Sequence, residues 1–338
     1  MAGDVGVSSP LRLTDIASQA RVSEATVSRV LNGKAGVAAG TRHRVLAAMD
    51  LLGYERPVRL KRRSNGLVGL LIPELTNPIF PAFAQVIEQA LAGHGYTPVL
   101  CTQTPGGATE DELVEQLEER GVTGIVFLSG LHADATADPA RYQRLAARGV
   151  PFVMVNGFNE HVQAPFVSPD DRAAAEMAVR HLEELGHQRI GLAIGPTRYV
   201  PSARKEQGFL AARPGADREG LVQRTLFTVE GGHAAGIALL ERGCTGVVCA
   251  SDMMALGVIR AARERGLRVP EDVSVVGFDD SPLIAFTDPP LTTVRQPVRA
   301  MATAAVGALL EAVAGTPVQR TEYVFQPELV VRGSTGPG

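Results

Sequence analysis

Tryptophan is absent from this 338-residue chain, cysteine occurs three times, and aromatic side chains make up only 5%. Each scarcity removes a class of explanation. Cys101, Cys244 and Cys249 form no C-x-x-C pair, and their odd number gives no disulfide framework, so a reducing compartment is expected rather than a secreted scaffold. No stretch reaches the roughly 18 consecutive apolar residues that span a bilayer. Residues 1–10 lack the apolar run of a signal peptide, and the expected location is the cytoplasm. Catalytic signatures are missing too. No G-x-G-x-x-G follows the first strand-like run, and there is no G-x-S-x-G elbow, no Walker G-x-x-x-x-G-K-[ST] and no zinc-like His/Cys spacing. His43, His94, His132, His161, His181, His187 and His233 are scattered and read as surface or supporting residues. No enzyme, cofactor or metal is expected.

What is present begins with an uneven distribution of charge. The length implies two or three domains, and the net charge of −3 hides a split. Residues 1–66 hold 11 Lys/Arg against 5 Asp/Glu, or +6, whereas the remainder carries 22 against 31, or −9. A basic head on an acidic body presents one end of the molecule to phosphates.

Within that head, Leu13 to Asn32 reads LTDIASQARVSEATVSRVLN. Ile16, Ala17 and Ala20 place an apolar stripe on a short helix, Val22 sits in a turn, and Val27, Val30 and Leu31 give a second helix its buried side. Ser23 is suited to cap that second helix, its hydroxyl accepting an otherwise unpaired amide. Two small helices joined this way make a helix-turn-helix, whose second helix enters the major groove of DNA. Glu24, Ala25, Thr26, Ser28 and Arg29 would face the groove or its phosphates, with Thr14, Ser23 and Asn32 at the borders. A third helix is expected at about 38–52, where Val45, Leu46, Met49 and Leu52 recur at helical spacing before Gly53. YERPVRLKRRSNG then reads as a basic linker, with Leu60, Lys61 and Arg62 as candidate DNA contacts.

The pattern A-x-x-A-x-V-S followed by T-V-S-R-V-L-N resembles the headpiece of the LacI/GalR family of bacterial repressors. One departure is Arg21, which stands where the family prefers Gly for a left-handed turn. A second is the linker, which is shorter than the family's; whether Leu60 wedges into the minor groove or the cations alone hold the backbone stays open.

From Leu67 the texture changes to short apolar runs alternating with amphipathic helices. Strands are read at 67–73, 97–101, 124–129, 151–156, 189–194, 223–227, 246–250 and 273–278. Helices of 10–15 residues between them imply two doubly wound, parallel-sheet α/β lobes, with a ligand beyond the strands' carboxyl ends. The full expectation is an all-α helix-turn-helix headpiece (1–54), a basic hinge (55–66) and an α/β body (67–338). PELTNPIFPAFAQVIEQALAGHGYTPVL, HLEELGHQRIGLAIG and GVVCASDMMALGVIRAARERGLRVPEDVSVVGFDD extend the resemblance over almost the whole chain. The family's body is of the periplasmic binding protein-like type, two lobes joined by three crossings. Here they are expected near 157–166, 288–293 and 322–325, giving an N-lobe of about 67–160 and 292–322 and a C-lobe of about 161–291 and 323–333.

Carried over by motif, the effector candidates are Asn77 and Phe80 after the first strand, Asn156, Asp170, Phe227, Ser251, Asp252 and Asp279. Amides and carboxylates pair with vicinal hydroxyls, and aromatic faces cover a sugar ring. Asp170 and Asp252 read equally well as helix caps, and Phe80 and Phe227 as core. In the family's R-x-x-G-F an arginine reaches the effector; this chain has K-E-Q-G-F, with Lys205 in its place and without the planar fork. The resemblance implies a ligand-responsive repressor that binds a pseudo-palindromic operator as a homodimer, with a sugar as the expected effector. A purine or another non-sugar effector or corepressor is the alternative. A transport-type sugar receptor would share the body but lack the headpiece. No heptad segment follows the last strand-like run, so a dimer rather than a tetramer is expected.

Overall fold

The computed structural model describes residues 12–31, 36–54, 64–103, 106–213 and 218–338. The chain divides into two compact units, Met1–Arg62 and Arg63–Gly338. Asn32, Leu60, Lys61 and Arg62 of the expected DNA interface lie outside the described residues.

The first unit holds three helices, α1 (Leu13–Ala20), α2 (Glu24–Leu31) and α3 (Ala39–Leu52). Ile16, Ala17, Ala20, Val27, Val30, Val45 and Ala48 are buried together between them. Leu46, expected in that core, is instead 51% exposed, and Ala48 takes the inward position. The register of α3 is set by Val45, and a helix turns by about 100° per residue, so the next inward position falls three residues on.

The second unit contains two six-stranded sheets. Its N-lobe strands are β1 (Leu67–Ile72), β2 (Thr97–Thr102), β3 (Gly124–Leu128), β4 (Phe152–Val155), β5 (Pro165–Pro169) and β11 (Thr321–Phe325), in the order β11-β5-β4-β3-β1-β2. The C-lobe strands are β6 (Ile190–Ile194), β7 (Val222–Arg224), β8 (Gly246–Cys249), β9 (Ser274–Asp279), β10 (Thr292–Arg295) and β12 (Glu328–Val330), in the order β12-β10-β9-β8-β6-β7. All pairings are parallel except that of β10 with β12. Helices α4 (Ile79–Gly93), α5 (Glu110–Glu119), α6 (Ala140–Ala147) and α12 (Val298–Val313) belong to the N-lobe. Helices α7 (Asp171–Glu184), α8 (Val200–Ala212), α9 (Arg218–Leu221), α10 (Val229–Glu241) and α11 (Asp252–Glu264) belong to the C-lobe. Parallel strands buried on both faces explain the near-continuous apolar runs, such as LVGLLI and GIVFL, that stand out in the sequence.

The crossings fall later than the sequence reading put them. Residues 165–169, placed at the end of the first crossing and in the C-lobe, form β5 and pair with β4 and β11 in the N-lobe sheet. Pro165 and Pro169 disguise this strand, but they sit at its two ends, where proline is tolerated. The chain therefore crosses at Asp170, again at Gln296–Pro297, and finally at Gln326–Pro327. The stretch YVFQPELVV is split by the last crossing into β11 and β12 of different sheets. Of the histidines read as surface or supporting residues, His132 and His187 are buried.

Candidate functional site

In the headpiece unit, the link between α1 and α2 is closed by backbone bonds. Arg21 adopts φ 53°, ψ 52°, and its N–H reaches the carbonyls of Ala17 and Ser18, while the Val22 N–H reaches Ala17 at 3.0 Å. A left-handed turn is thus built with arginine where glycine would be less strained, and the side chain is exposed. Ser23 caps α2: its hydroxyl accepts the Thr26 N–H at 3.3 Å and bonds the Thr26 hydroxyl at 2.9 Å. With Val27 and Val30 facing inward, Glu24, Ala25 and Arg29 are exposed and Thr26 and Ser28 half-buried. Thr14 is exposed on the first turn of α1. This is an outward-facing helix start bearing short polar side chains and one cation.

The second site lies between the lobes of the body, a cavity of about 230 Å³. Seven of the nine sequence candidates line it: Asn77, Phe80 and Asn156 from the N-lobe, and Lys205, Phe227, Ser251 and Asp279 from the C-lobe. They collect there because parallel strands present their carboxyl ends on one side. Backbone strain collects with them. Ser129 (φ 48°), Asn156 (φ 64°) and Asp279 (φ 123°) all line the cavity with positive φ, a departure that L-residues sustain where surrounding structure fixes it, often at binding sites.

The polar geometry is specific. Asn156 Nδ2 donates to Ser129 Oγ at 2.6 Å, and Gln296 Nε2 donates to Asp279 Oδ1 at 2.6 Å. Asn156 Oδ1 and Gln296 Oε1 are buried and have no hydrogen-bond partner among the described residues. Such acceptors are costly in a folded interior unless a ligand or water meets them. Phe80, Phe227 and Tyr199 supply aromatic surface, the last two with ring centroids 6.3 Å apart. Burial, reinforced by the charge of Asp252, holds the Asp279 carboxyl well above the usual range.

Two candidates lie outside the cavity lining. Asp170 caps α7, accepting the Ala173 N–H at 2.9 Å, and accepts Gln326 Nε2 at 3.2 Å, which ties the first crossing to the third. Asp252 is fully buried and accepts Ser281 N–H at 2.8 Å, Ser281 Oγ at 2.6 Å and Thr293 Oγ1 at 2.6 Å. It is a brace across strand ends; the cap of α11 is Ser251, whose Oγ accepts the Met254 N–H. Burial pushes the Asp252 carboxyl up to about 6 against the pull of those bonds.

Other contributors were not read from the sequence. Glu74, Ser129, Tyr199, Phe278 and Gln296 line the cavity. Asp171 pairs with Lys205 from just outside it. Gly195 has no side chain for a reason: a Cβ there would lie 2.1 Å from the Phe227 ring. Strand-end position was an available signal for Ser129 and Gly195. Nothing local marks Tyr199 or Gln296, which reach the cavity from a loop and a crossing. Phe227 itself follows β7, which is shorter than expected and ends at Arg224.

Comparison with known proteins adds to this geometry. Residues 12–56 match the family described as bacterial regulatory proteins, lacI family, and residues 179–335 match a periplasmic binding protein-like domain. An HTH-type transcriptional regulator in the aml 5′ region of Streptomyces limosus is 75% identical over 330 residues, 96% of this chain and 94% of its own. A transcriptional regulator CelR–cellobiose complex superposes with a TM-score of 0.71 at 33% identity, over 96% of this chain and 99% of that one. A lac repressor dimer bound to operator and the anti-inducer ONPF gives 0.68 at 28% identity, over 97% and 100%.

Proposed function

Since the chain belongs to the LacI family of bacterial regulatory proteins and is a DNA-binding transcription regulator, we propose that it represses carbohydrate-related genes and that a sugar in the interlobe cleft switches its affinity for operator DNA. The carrying observation is the pair of unpartnered buried acceptors, Asn156 Oδ1 and Gln296 Oε1, beside Asp279 and the rings of Phe80, Tyr199 and Phe227. Two acceptors call for hydroxyl donors, and apolar ring faces call for the C–H side of a sugar. Residues 1–54 are the DNA-binding headpiece, 55–66 the hinge carrying Leu60, Lys61 and Arg62, and 67–338 the effector and dimerisation body. The molecule works at the nucleoid in the cytoplasm as a binding switch, not an enzyme. A homodimer suits the two-fold symmetry of an operator; Leu283 and Phe286, 73% and 85% exposed on the C-lobe, are apolar surface that a second copy would cover.

The test is fluorescence anisotropy of a labelled operator, titrated with sugars and nucleobases. Release or tightening by a sugar supports the reading, and a response confined to a purine would replace it. Gly195→Ala is expected to push the Phe227 ring out of place and raise the half-effective sugar concentration about tenfold, with operator affinity unchanged. An unshifted response would detach Phe227 from the site.

For the headpiece, substitutions at Glu24 and Ala25 are expected to change the operator consensus, since base discrimination is worth roughly 1–3 kcal/mol per well-made pair. Arg29→Ala should weaken binding to all operators alike. Selection from a randomised pool reads both effects, and variants at 24 and 25 that retain the parental consensus would refute this docking of α2.

A further inference from the structure

Lys205 is the one cation among the described residues lining the cleft, and it is already engaged. Its ammonium donates to the Asp171 carboxylate and sits 3.8 Å from the centroid of the Phe278 ring. Both partners of the ion pair are nearly sealed, Lys205 at 7% exposure and Asp171 at 2%. Neighbouring guanidiniums are committed elsewhere. Arg198 meets Asp134 at 3.0 Å and the Tyr199 hydroxyl at 3.0 Å, and Arg204 forms a bidentate pair with Glu322 at 2.6 and 2.9 Å. The first amides of α4, whose start lines the cleft, are taken as well: Asn77 accepts the Ile79 N–H through its side chain and the Phe80 N–H through its carbonyl. On the acidic side, Glu74 and Asp279 line the cavity and Asp252 stands behind it.

Resting on the reading of this cleft as an effector site, we infer that the Lys205–Asp171 pair restricts it to uncharged ligands and excludes their phosphorylated or carboxylated counterparts. An anion in the cleft would have to share a buried ammonium with a carboxylate already on it, and drawing Lys205 away would leave Asp171 without its counter-charge in a buried place, which costs more than the new contact returns. Lysine at this position is therefore a positioning residue. It neutralises Asp171, packs on Phe278 and leaves recognition to Asp279, Gln296 and Asn156, whose chemistry suits hydroxyls.

Calorimetry on the full chain at constant ionic strength tests this with matched pairs: glucose and glucose 6-phosphate, trehalose and trehalose 6-phosphate, maltose and maltobionate, cellobiose and cellobionate. Whichever pair binds, the anionic member should bind at least about a hundredfold more weakly. Equal or tighter binding of an anionic member overturns the inference. A second arm uses inorganic phosphate alone. Phosphate should leave the melting temperature of the unaltered protein unchanged, raise that of Asp171→Asn by several degrees by filling the vacated counter-charge, and have no effect on the Asp171→Asn, Lys205→Gln double variant. Phosphate binding to the unaltered protein that Lys205→Gln abolishes would overturn the inference, as would a folded Asp171→Asn protein indifferent to phosphate. If no sugar of either charge binds while the phosphate arm behaves as described, the sugar reading fails and the charge pair stands. If Asp171→Asn does not fold, the sugar pairs and the phosphate response of the unaltered protein decide.

Discussion

Asp279→Asn is expected to raise the sugar concentration that half-saturates the operator response by at least about a hundredfold, while operator affinity without sugar stays within about threefold of the parent. The substitution keeps the volume and the bond from Gln296 Nε2, so packing is preserved and only the chemistry of the second oxygen changes. A hydrogen bond is worth roughly 0.5–1.5 kcal/mol, and leaving a buried hydroxyl unmatched costs roughly a further 1–3 kcal/mol; about 2.7 kcal/mol is a hundredfold. Phe227→Ala should have a comparable effect by a different route, removing the aromatic wall that Gly195 makes room for. Operator affinity is spared because the cleft and α2 belong to separate compact units, and the coupling between them is only as large as the sugar's preference for one state of the body. Calorimetry gives the sugar affinity and anisotropy the operator affinity. Variants that still respond at the parental concentration would show that the effector lies elsewhere.

The chain announces its strand ends but not the direction of each side chain there. Asn77, Phe80, Asn156, Ser251 and Asp279 were carried over from the family's motif, and they meet in one cavity because a parallel α/β sheet presents its carboxyl ends on one edge. Adjacent polar pairs were the weak point. Of Asp170 and Asp171, the first caps its helix and the second turns inward to Lys205. Of Ser251 and Asp252, the first lines the cleft and caps, and the second braces β9 and β10. Asp279 faces the cavity, while Asp280 pairs with Arg295 at 2.7 Å and Arg332 at 2.6 Å. One residue's rotation along the backbone separates these roles, and nothing in the letters expresses it. Gln296 could not be found from local pattern, because it joins the site only when the chain crosses between lobes. The same limit moved the crossings: β5 is bounded by prolines that read as a loop, and only pairing with β4 and β11 reveals a strand.

Two buried groups, His132 and Asp252, are expected to tilt the stability of the body in opposite directions between pH 4 and 6.5, which single variants will expose. His132 is fully buried, its Nε2 3.2 Å from the Val155 carbonyl, and burial lowers its pKa from 6.5 to about 4. A group depressed in the folded state contributes stability that is present above its ordinary pKa and is lost as pH falls. At 1.36 kcal/mol per tenfold, the loss from 6.5 to 4 is roughly 3 kcal/mol. Asp252 acts in the opposite sense. Burial raises it from 3.8 to about 6, so its contribution is complete below 3.8 and is lost as pH rises through 6, again by about 3 kcal/mol. Asp279, raised for the same reason, adds to the second trend. His132→Gln removes the first term and should leave a body that grows less stable as pH climbs from 4 to 6. Asp252→Asn weakens the second, and stability should then increase with pH up to about 6.5. Urea midpoints followed across that range read the slopes, which are independent of the constant cost of either substitution. If His132→Gln keeps the parental slope, the imidazole is not held neutral by burial, and the loop from Leu131 to Asp134 is open enough to let it take up a proton.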